Sequence, residues 1–319
     1  MDDIRALVFE KILDIVCHQA QHGLLVFLLE NVRGILKSYH GRPPYINHVR
    51  QRLLAVAPWI DVRVHSSNTR CHGLPHNRPR VYVVGVHKEL LRAAPWCVAP
   101  PAPLPPPSLF AMLDRTLPKT SAADWTPKMW SNITERYLPH LLEDGFFSDP
   151  EFRETCAVLD ACRDPNKAFG SFLRTDDVCN TLTTGNRYLV VVSGGEGLDL
   201  DSGGNVLLDL EAKPQIFRSL TKEDRVTLQG LEHEVTRKLS TAQSCSATGN
   251  AYSAPAVARF MGPVIGAMTS AVGQELVRKV TGASPAAPVP RGLHRWFQPR
   301  SSGAAAAEPP LLLLAFTGI

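Results

Sequence analysis

The sequence predicts an α/β protein organised around a sheet covered on both faces, and three stretches carry that prediction. Gly23–Gly34, GLLVFLLENVRG, is a continuous apolar run that ends abruptly in Glu30-Asn31-Val32. A run without polar alternation reads as a strand buried on both faces. Ahead of it, Ile4, Leu7, Val8, Ile12, Ile15 and Val16 recur at helical spacing within Ile4–Gln19, so a helix should pack that stripe against the strand. Beyond it, Asn47–Ala57 reads as a helix, and Val62–His65 and Val81–Gly85 read as strands. Helix, glycine turn and buried strand make half of a doubly wound unit, in which ligands gather at the carboxyl ends of the strands. Glu30 and Asn31 lie at that end, as working groups of a site or as a polar terminus meeting solvent.

A chain of 319 residues holds one large domain or two smaller ones, and its net charge of +4 permits a nucleic-acid partner without requiring one. The seven cysteines, at 17, 71, 97, 156, 162, 179 and 245, include no CxxC pair, which speaks against a disulfide framework or a zinc site. The acidic start Met1–Glu10 is unlike a signal peptide, and the apolar runs Leu24–Leu29 and Leu311–Phe316 are too short to cross a bilayer. The expectation is a soluble intracellular protein with no membrane partner.

In order along the chain, Gly73–Arg80, GLPHNRPR, precedes the second short strand, and Arg78 and Arg80 flank a proline that keeps the backbone extended. Pro95–Pro107 is dense in proline and almost free of charge, an extended connector and a domain boundary. Trp125–Glu143 and Pro150–Cys162 read as helices, with Met129, Trp130, Ile133, Tyr137 and Leu141 on one buried face. A Thr-Leu-Thr-Thr turn at 181–184 leads into a strand ending near Val192, and Gly194–Gly197 with Leu198–Leu210 suits a hairpin better than a phosphate loop. Leu220–Leu231 reads as a short helix capped by Thr221 and stopped at Gly230. A longer helix should open at Gly249-Asn250-Ala251-Tyr252-Ser253 and run towards Val280, and from Ser284 onward the composition predicts disorder.

Taken together, Glu30-Asn31-Val32, then Ser67-Asn68, Gly-Leu-Pro-x-x-Arg-x-Arg at 73–80, Leu220-Thr221 with Leu228-Gln229-Gly230, and Gly249-Asn250 before a helix resemble the sixth to tenth motifs of the cytosine-5 DNA methyltransferases, in the family's order. Asp3-Ile4-Arg5 resembles the segment just after the family's catalytic loop. The resemblance implies a partial S-adenosylmethionine-dependent methyltransferase (Rossmann-like) sheet with a mixed α+β target-recognition region. The implied divisions are a partial catalytic core at 1–94, a linker at 95–109, a target-recognition-like region at 110–218, returning core helices at 219–282 and a tail at 283–319.

By that resemblance, Glu30 holds nitrogen 3 and the exocyclic amine of cytosine and donates a proton, a role that suits a carboxyl group whose pKa burial raises. Asn31 shapes the strand end, Arg80 donates to the cytosine carbonyl oxygen, and Arg78 steadies the loop or contacts phosphate. Gly249 and Asn250 line the pocket of the methyl donor. The bland alternatives are an ion pair between Glu30 and either arginine, and a helix cap at Asn250.

There are departures from the family pattern. His76 stands at the usual glutamine, Glu223-Asp224 at the usual Arg-Glu, Thr227 at a later arginine, and Leu231-Glu232 at the usual Phe-Pro. The family's reaction needs a thiolate from a Pro-Cys dipeptide to attack carbon 6 of a flipped-out cytosine, and this sequence contains no such dipeptide. The glycine motif that holds the donor, and the strands that carry it, are likewise expected from an upstream segment or a second chain supplying the amino-terminal half. DNA is the expected substrate, although no residue separates DNA from RNA, and a decayed DNA-binding or regulatory relative is the alternative. The resemblance implies the nucleus in a eukaryote and the cytoplasm in a bacterium.

Overall fold

The computed structural model describes residues 4–113, 126–163, 172–184, 188–194, 217–281 and 312–316. The chain divides into two compact units, one of Met1–Ser67, Pro79–Ala102 and Val257–Ile319, the other of Asn68–Arg78 and Pro103–Ala256.

The first unit holds helix α1 (Ile4–Gln21), strand β1 (Val26–Asn31), helix α2 (Tyr45–Val56) and strands β2 (Ile60–Asn68) and β3 (Pro79–His87), β2 crossing into the other unit at its last residue. β1 is buried at all six positions, as its unbroken apolar run requires. It pairs antiparallel with β3, Phe27 opposite Gly85 and Glu30 opposite Tyr82, in a mixed sheet of order β2-β3-β1 plus one further strand. Gly85 is needed there, because a Cβ at that position would collide with the Phe27 ring.

The pleat sends alternate residues of β1 to opposite faces. Phe27 and Leu29, with Val81 and Val83 of β3, pack under Phe9, Leu13 and Val16 of α1 and Val49 and Leu53 of α2. On the other face Tyr82 stacks on Phe260, their ring centroids 4.5 Å apart. The sheet is therefore covered on both sides.

Two expectations need correction here. The predicted stripe of α1 is only partly its buried face: Val16 is buried and Ile12 packs against the core, but Leu7, Val8 and Ile15 are about half exposed, while Phe9, Leu13, Cys17 and Ala20 point inward. α1 is apolar around most of its circumference, so periodicity alone does not select between its faces. The predicted disorder from Ser284 onward also fails at one place. Leu312–Phe316 forms a strand, β8, that pairs parallel with β1 in the register Val26–Leu312 to Glu30–Phe316 and completes the order β2-β3-β1-β8. A run of four leucines followed by Ala-Phe suits an apolar strand, and the Ala/Pro/Gly-rich composition around it masked the signal.

Within the proline-rich stretch, Pro95–Val98 is a 3-10 turn after helix α3 (Lys88–Ala93), so the connector is not extended from its start. A proline at the first position of the turn accounts for this.

In the second unit, α4 (Leu109–Met112) is followed by a nearly continuous helix of α5 (Pro127–Asn132), a π turn (Ile133–Tyr137) and α6 (Leu138–Glu143). Met129, Ile133, Tyr137 and Leu141 are buried on it, as the spacing predicts, and Trp130 packs at the margin; Trp125 lies outside the described residues. Pro150–Cys162, expected as a helix, is instead a short turn followed by strand β4 (Cys156–Asp160). Glu154 takes a φ of 59°, which ends any helical path, and CAVLD is buried at all five positions.

β4 is central in a sheet of order β5-β4-β6-β7, with β5 (Leu173–Arg174), β6 (Leu189–Ser193) and β7 (Phe217–Ser219). Ala157, Leu159, Val190 and Val192 face the α5–α6 helix, and Cys156, Val158, Leu189 and Val191 face Leu109, Cys179, Leu182 and Leu228. The expected hairpin at Leu198–Leu210 lies outside the described residues.

α7 (Lys222–Thr227) carries the expected Thr221 cap, with Asp224 completing a capping box, and Gly230 stops it at a φ of 66°. The helix expected to open at the 249–253 turn does open there, at Ala254, but is broken into two, and a further helix precedes the turn. α8 (Thr241–Asn250) ends with Gly249 and Asn250, α9 (Ala254–Thr269) follows a short turn, and α10 (Ala271–Thr281) follows a break at Ser270. Among the described residues no single helix is long and apolar enough to cross a membrane.

Candidate active site

β1 delivers Glu30 to its carboxyl end with only 1% of the side chain exposed, and β3 brings Arg80 beside it. The Arg80 Nε lies 2.9 Å from Glu30 Oε1, and its Nη1 donates to the Pro79 carbonyl at 2.9 Å. Of the two arginines that the sequence offered as partners, Arg80 is the one this geometry pairs with Glu30. Two residues off the Glu30–Tyr82 register, it reaches diagonally across the antiparallel pair. Asn31, also buried, turns its Oδ1 back to accept the Val32 N–H at 2.7 Å, which fixes the strand end. A buried carboxyl group fixed by a guanidinium at a strand terminus is suited to recognising a planar ring with adjacent donor and acceptor.

In the second unit Arg78 has another fate. Its side chain is fully buried, Nη1 donating to the carbonyls of Leu182 (3.1 Å) and Gly249 (3.2 Å), and Nη2 to that of Ala251 (2.6 Å). These three bonds tie the guanidinium to loop carbonyls. Asn68 anchors the same loop: its Oδ1 accepts the Arg78 N–H at 2.9 Å and its Nδ2 donates to Asn77 Oδ1 at 2.8 Å.

His76 Nε2 accepts the Leu182 N–H at 3.1 Å. Asn77 N–H donates to the Cys179 carbonyl and Cys179 N–H to the Pro75 carbonyl, both at 2.8 Å, so residues 75–78 are sewn to 179–182.

Gly249 is buried because a Cβ there would meet the backbone of Thr183 and Thr184, whereas Asn250 is exposed. From the other side, Gln229 Nε2 donates to the Thr248 carbonyl at 2.7 Å and the Gln229 carbonyl accepts the Ala254 N–H at 3.1 Å. Sequence reasoning missed Gln229 as a structural member of this turn, although its place in Leu-Gln-Gly marked it. It likewise missed Asn68 and Asn77 as the brace of the arginine loop.

The thiols give no activated nucleophile among the groups whose titration is displaced. Burial pushes Cys17, Cys97 and Cys162 upward and Cys179 up to about 12, opposite to the shift a nucleophilic thiolate requires. No cluster of metal-ligating residues occurs among the described residues.

Comparison with known proteins supplies the family. The family model of the C-5 cytosine-specific DNA methylases matches residues 1–265. The chain belongs to that family. No functionally curated protein matches it. Among solved structures, it is similar to the Entamoeba histolytica methyltransferase EhMeth, at 12% identity and a TM-score of 0.44, covering 81% of this chain and 70% of that one. The S. pombe Dnmt2 methyltransferase aligns at 11% identity and a TM-score of 0.37, over 75% of this chain and 65% of that one. An E. coli prophage-encoded putative DNA modification methyltransferase aligns at 15% identity and a TM-score of 0.40, over 77% and 70%.

Proposed function

We propose that this chain supplies the cytosine-binding side of a DNA cytosine-5 methyltransferase, which transfers a methyl group from S-adenosylmethionine to carbon 5 of cytosine in DNA. The observation that supports it is the buried Glu30–Arg80 pair at the carboxyl end of β1. Glu30 binds the nitrogen 3 and amine edge of an extrahelical cytosine and holds a proton at nitrogen 3 as a nucleophile adds to carbon 6; Arg80 orients Glu30 and donates to the ring carbonyl. The nucleophile comes from a Pro-Cys segment outside this sequence, supplied upstream or by a second chain.

The donor, when bound, supplies the electrophilic methyl group. Asn250 fits a donor site because its amide is exposed at the turn; Gly249 serves that turn through packing, since its missing Cβ makes room for protein backbone. Nuclear action in a eukaryote or cytoplasmic action in a bacterium follows from this reading.

A second reading, a catalytically silent DNA-binding or regulatory subunit, draws on the absence of a Pro-Cys dipeptide and on the buried, upshifted thiols. The two are separated by incubating the full chain with cytosine-containing DNA and methyl-labelled donor, alone and with cell extract from the source organism. Label in 5-methylcytosine only when extract is added, and lost in Glu30→Gln, supports the first. DNA binding with no Glu30-dependent label under either condition supports the second.

A further inference from the structure

We infer that Arg78 and Gln229 are positioning residues that hold the Gly249–Ser253 turn as a preformed edge of the methyl-donor site; the donor part of this inference rests on the function proposed above. The observation is a convergence on one short turn from two directions. Arg78 grips the carbonyls on both sides of Asn250, those of Gly249 and Ala251, while a third bond, to Leu182, ties the same guanidinium to the 181–184 loop. Gln229 closes the opposite side, its side-chain amide donating to the Thr248 carbonyl and its backbone carbonyl accepting the Ala254 N–H. Gly249 and Gly230 let the parts approach: a Cβ at Gly249 would meet the Thr183–Thr184 backbone, and one at Gly230 would lie 2.5 Å from Pro255 Cδ.

A turn between two helices leaves the carbonyls at the end of the first without intrahelical partners. Here the Thr248 carbonyl is taken by a buried amide and those of Gly249 and Ala251 by a buried cation. Charge-assisted bonds of this kind are stronger than neutral ones and are lost at full desolvation cost when one partner is removed. The three-bond geometry needs a planar guanidinium, which lysine cannot reproduce. Asn250, flanked by gripped carbonyls, is thereby left exposed with its backbone immobilised, the state expected of a ligand-binding amide that pays little ordering entropy.

The test uses the full chain and its Arg78→Lys, Arg78→Met and Gln229→Leu variants, read by hydrogen–deuterium exchange and by equilibrium retention of labelled S-adenosylhomocysteine on the tagged chain after incubation with cell extract from the source organism, which supplies the amino-terminal half of the site. Exchange in the peptide spanning 245–255 is expected to rise about tenfold or more in each variant, with β1 and β3 keeping wild-type protection, and affinity for the probe to fall about tenfold. Arg78→Lys should recover only part of the loss seen in Arg78→Met. If Arg78→Met unfolds the whole protein, protection is lost in β1 and β3 too, and Gln229→Leu decides. Unchanged exchange at 245–255 overturns the inference, as does a loosened turn with unchanged probe affinity. A wild-type chain that does not retain the probe even with extract present overturns the donor assignment itself, even where the variants loosen the turn.

Discussion

Glu30 and Arg80 are desolvated together, so removing one takes from the other an ion-pair partner 2.9 Å away in a buried setting. Arg80→Met is expected to lower unfolding free energy by about 3–5 kcal/mol, and Glu30→Leu with Arg80→Met to cost clearly less than Arg80→Met alone. Urea denaturation of the two proteins checks this; equal losses would mean that the pair does not act as a unit. His87 accepts the Glu89 N–H on Nδ1 at 3.2 Å and caps α3, so His87→Ala should cost about 1 kcal/mol. Burial holds His65 and His87 below the ordinary imidazole value, with Arg63 adding to the shift at His65. The unfolded chain therefore takes up protons first as the pH falls below about 6.5, so this stability is complete above that value and is lost towards the lower folded-state values. His87→Asn keeps the cap without the titration and should flatten the fall in urea midpoint between pH 7.5 and pH 5.5. At this scale Glu30, Asn31 and both arginines were readable from residue type and order. That Arg80 would lie beside Glu30 was not, because it follows from the register of β1 against β3, which residue type does not give.

Elements with one strong signal were legible, and those with two competing signals were not. β1, β3 and α7 followed from an unbroken apolar run, a strand after a proline, and a cap-to-glycine frame. Pro150–Cys162 mixed a proline start suited to a helix with CAVLD, and burial on both faces of a sheet decided for the strand. α8 lacks an apolar stripe, and its signal was a capping box, Ser240 with Gln243. Close approaches make sharper tests of these elements than propensity does. Gly85→Ala would drive a methyl group into Phe27 at the centre of the sheet and should destabilise by about 1–3 kcal/mol, an overpacking cost read from thermal or urea unfolding. Leu13, wholly buried on α1, should lose about 2–5 kcal/mol as alanine. Val8, on the outer face of the same helix, should change stability by no more than about 0.5 kcal/mol as lysine. Reversal of that ranking would restore the stripe predicted from sequence.

For the whole molecule, the division into two units explains why the motifs are scattered along the chain. Residues 68–78 leave the first unit to join the second, and residues 257–319 return to the first. The edge of β1 away from β3 is occupied by β8. A chain ending after Thr281 would present that edge unpaired, so it should self-associate in light scattering at concentrations where the full chain stays monodisperse. Equal behaviour of the two would mean that β8 does not protect the edge. The order of the family's motifs was legible, whereas the pairing of a distant apolar segment with β1 was not, because a contact between residues nearly three hundred positions apart leaves no local pattern.

The measurement that bears most directly on the account is the affinity of the full chain for a duplex carrying one extrahelical cytosine, against the same duplex carrying uracil, for wild type and Glu30→Gln. Uracil presents an N–H and a carbonyl where cytosine presents an acceptor and an amine, so the Glu30 edge should discriminate by about tenfold or more in favour of cytosine, and Glu30→Gln should erase most of that preference. Equal affinity for the two duplexes, or a cytosine preference untouched by Glu30→Gln, would contradict the assignment of the Glu30–Arg80 pair as the base-binding centre.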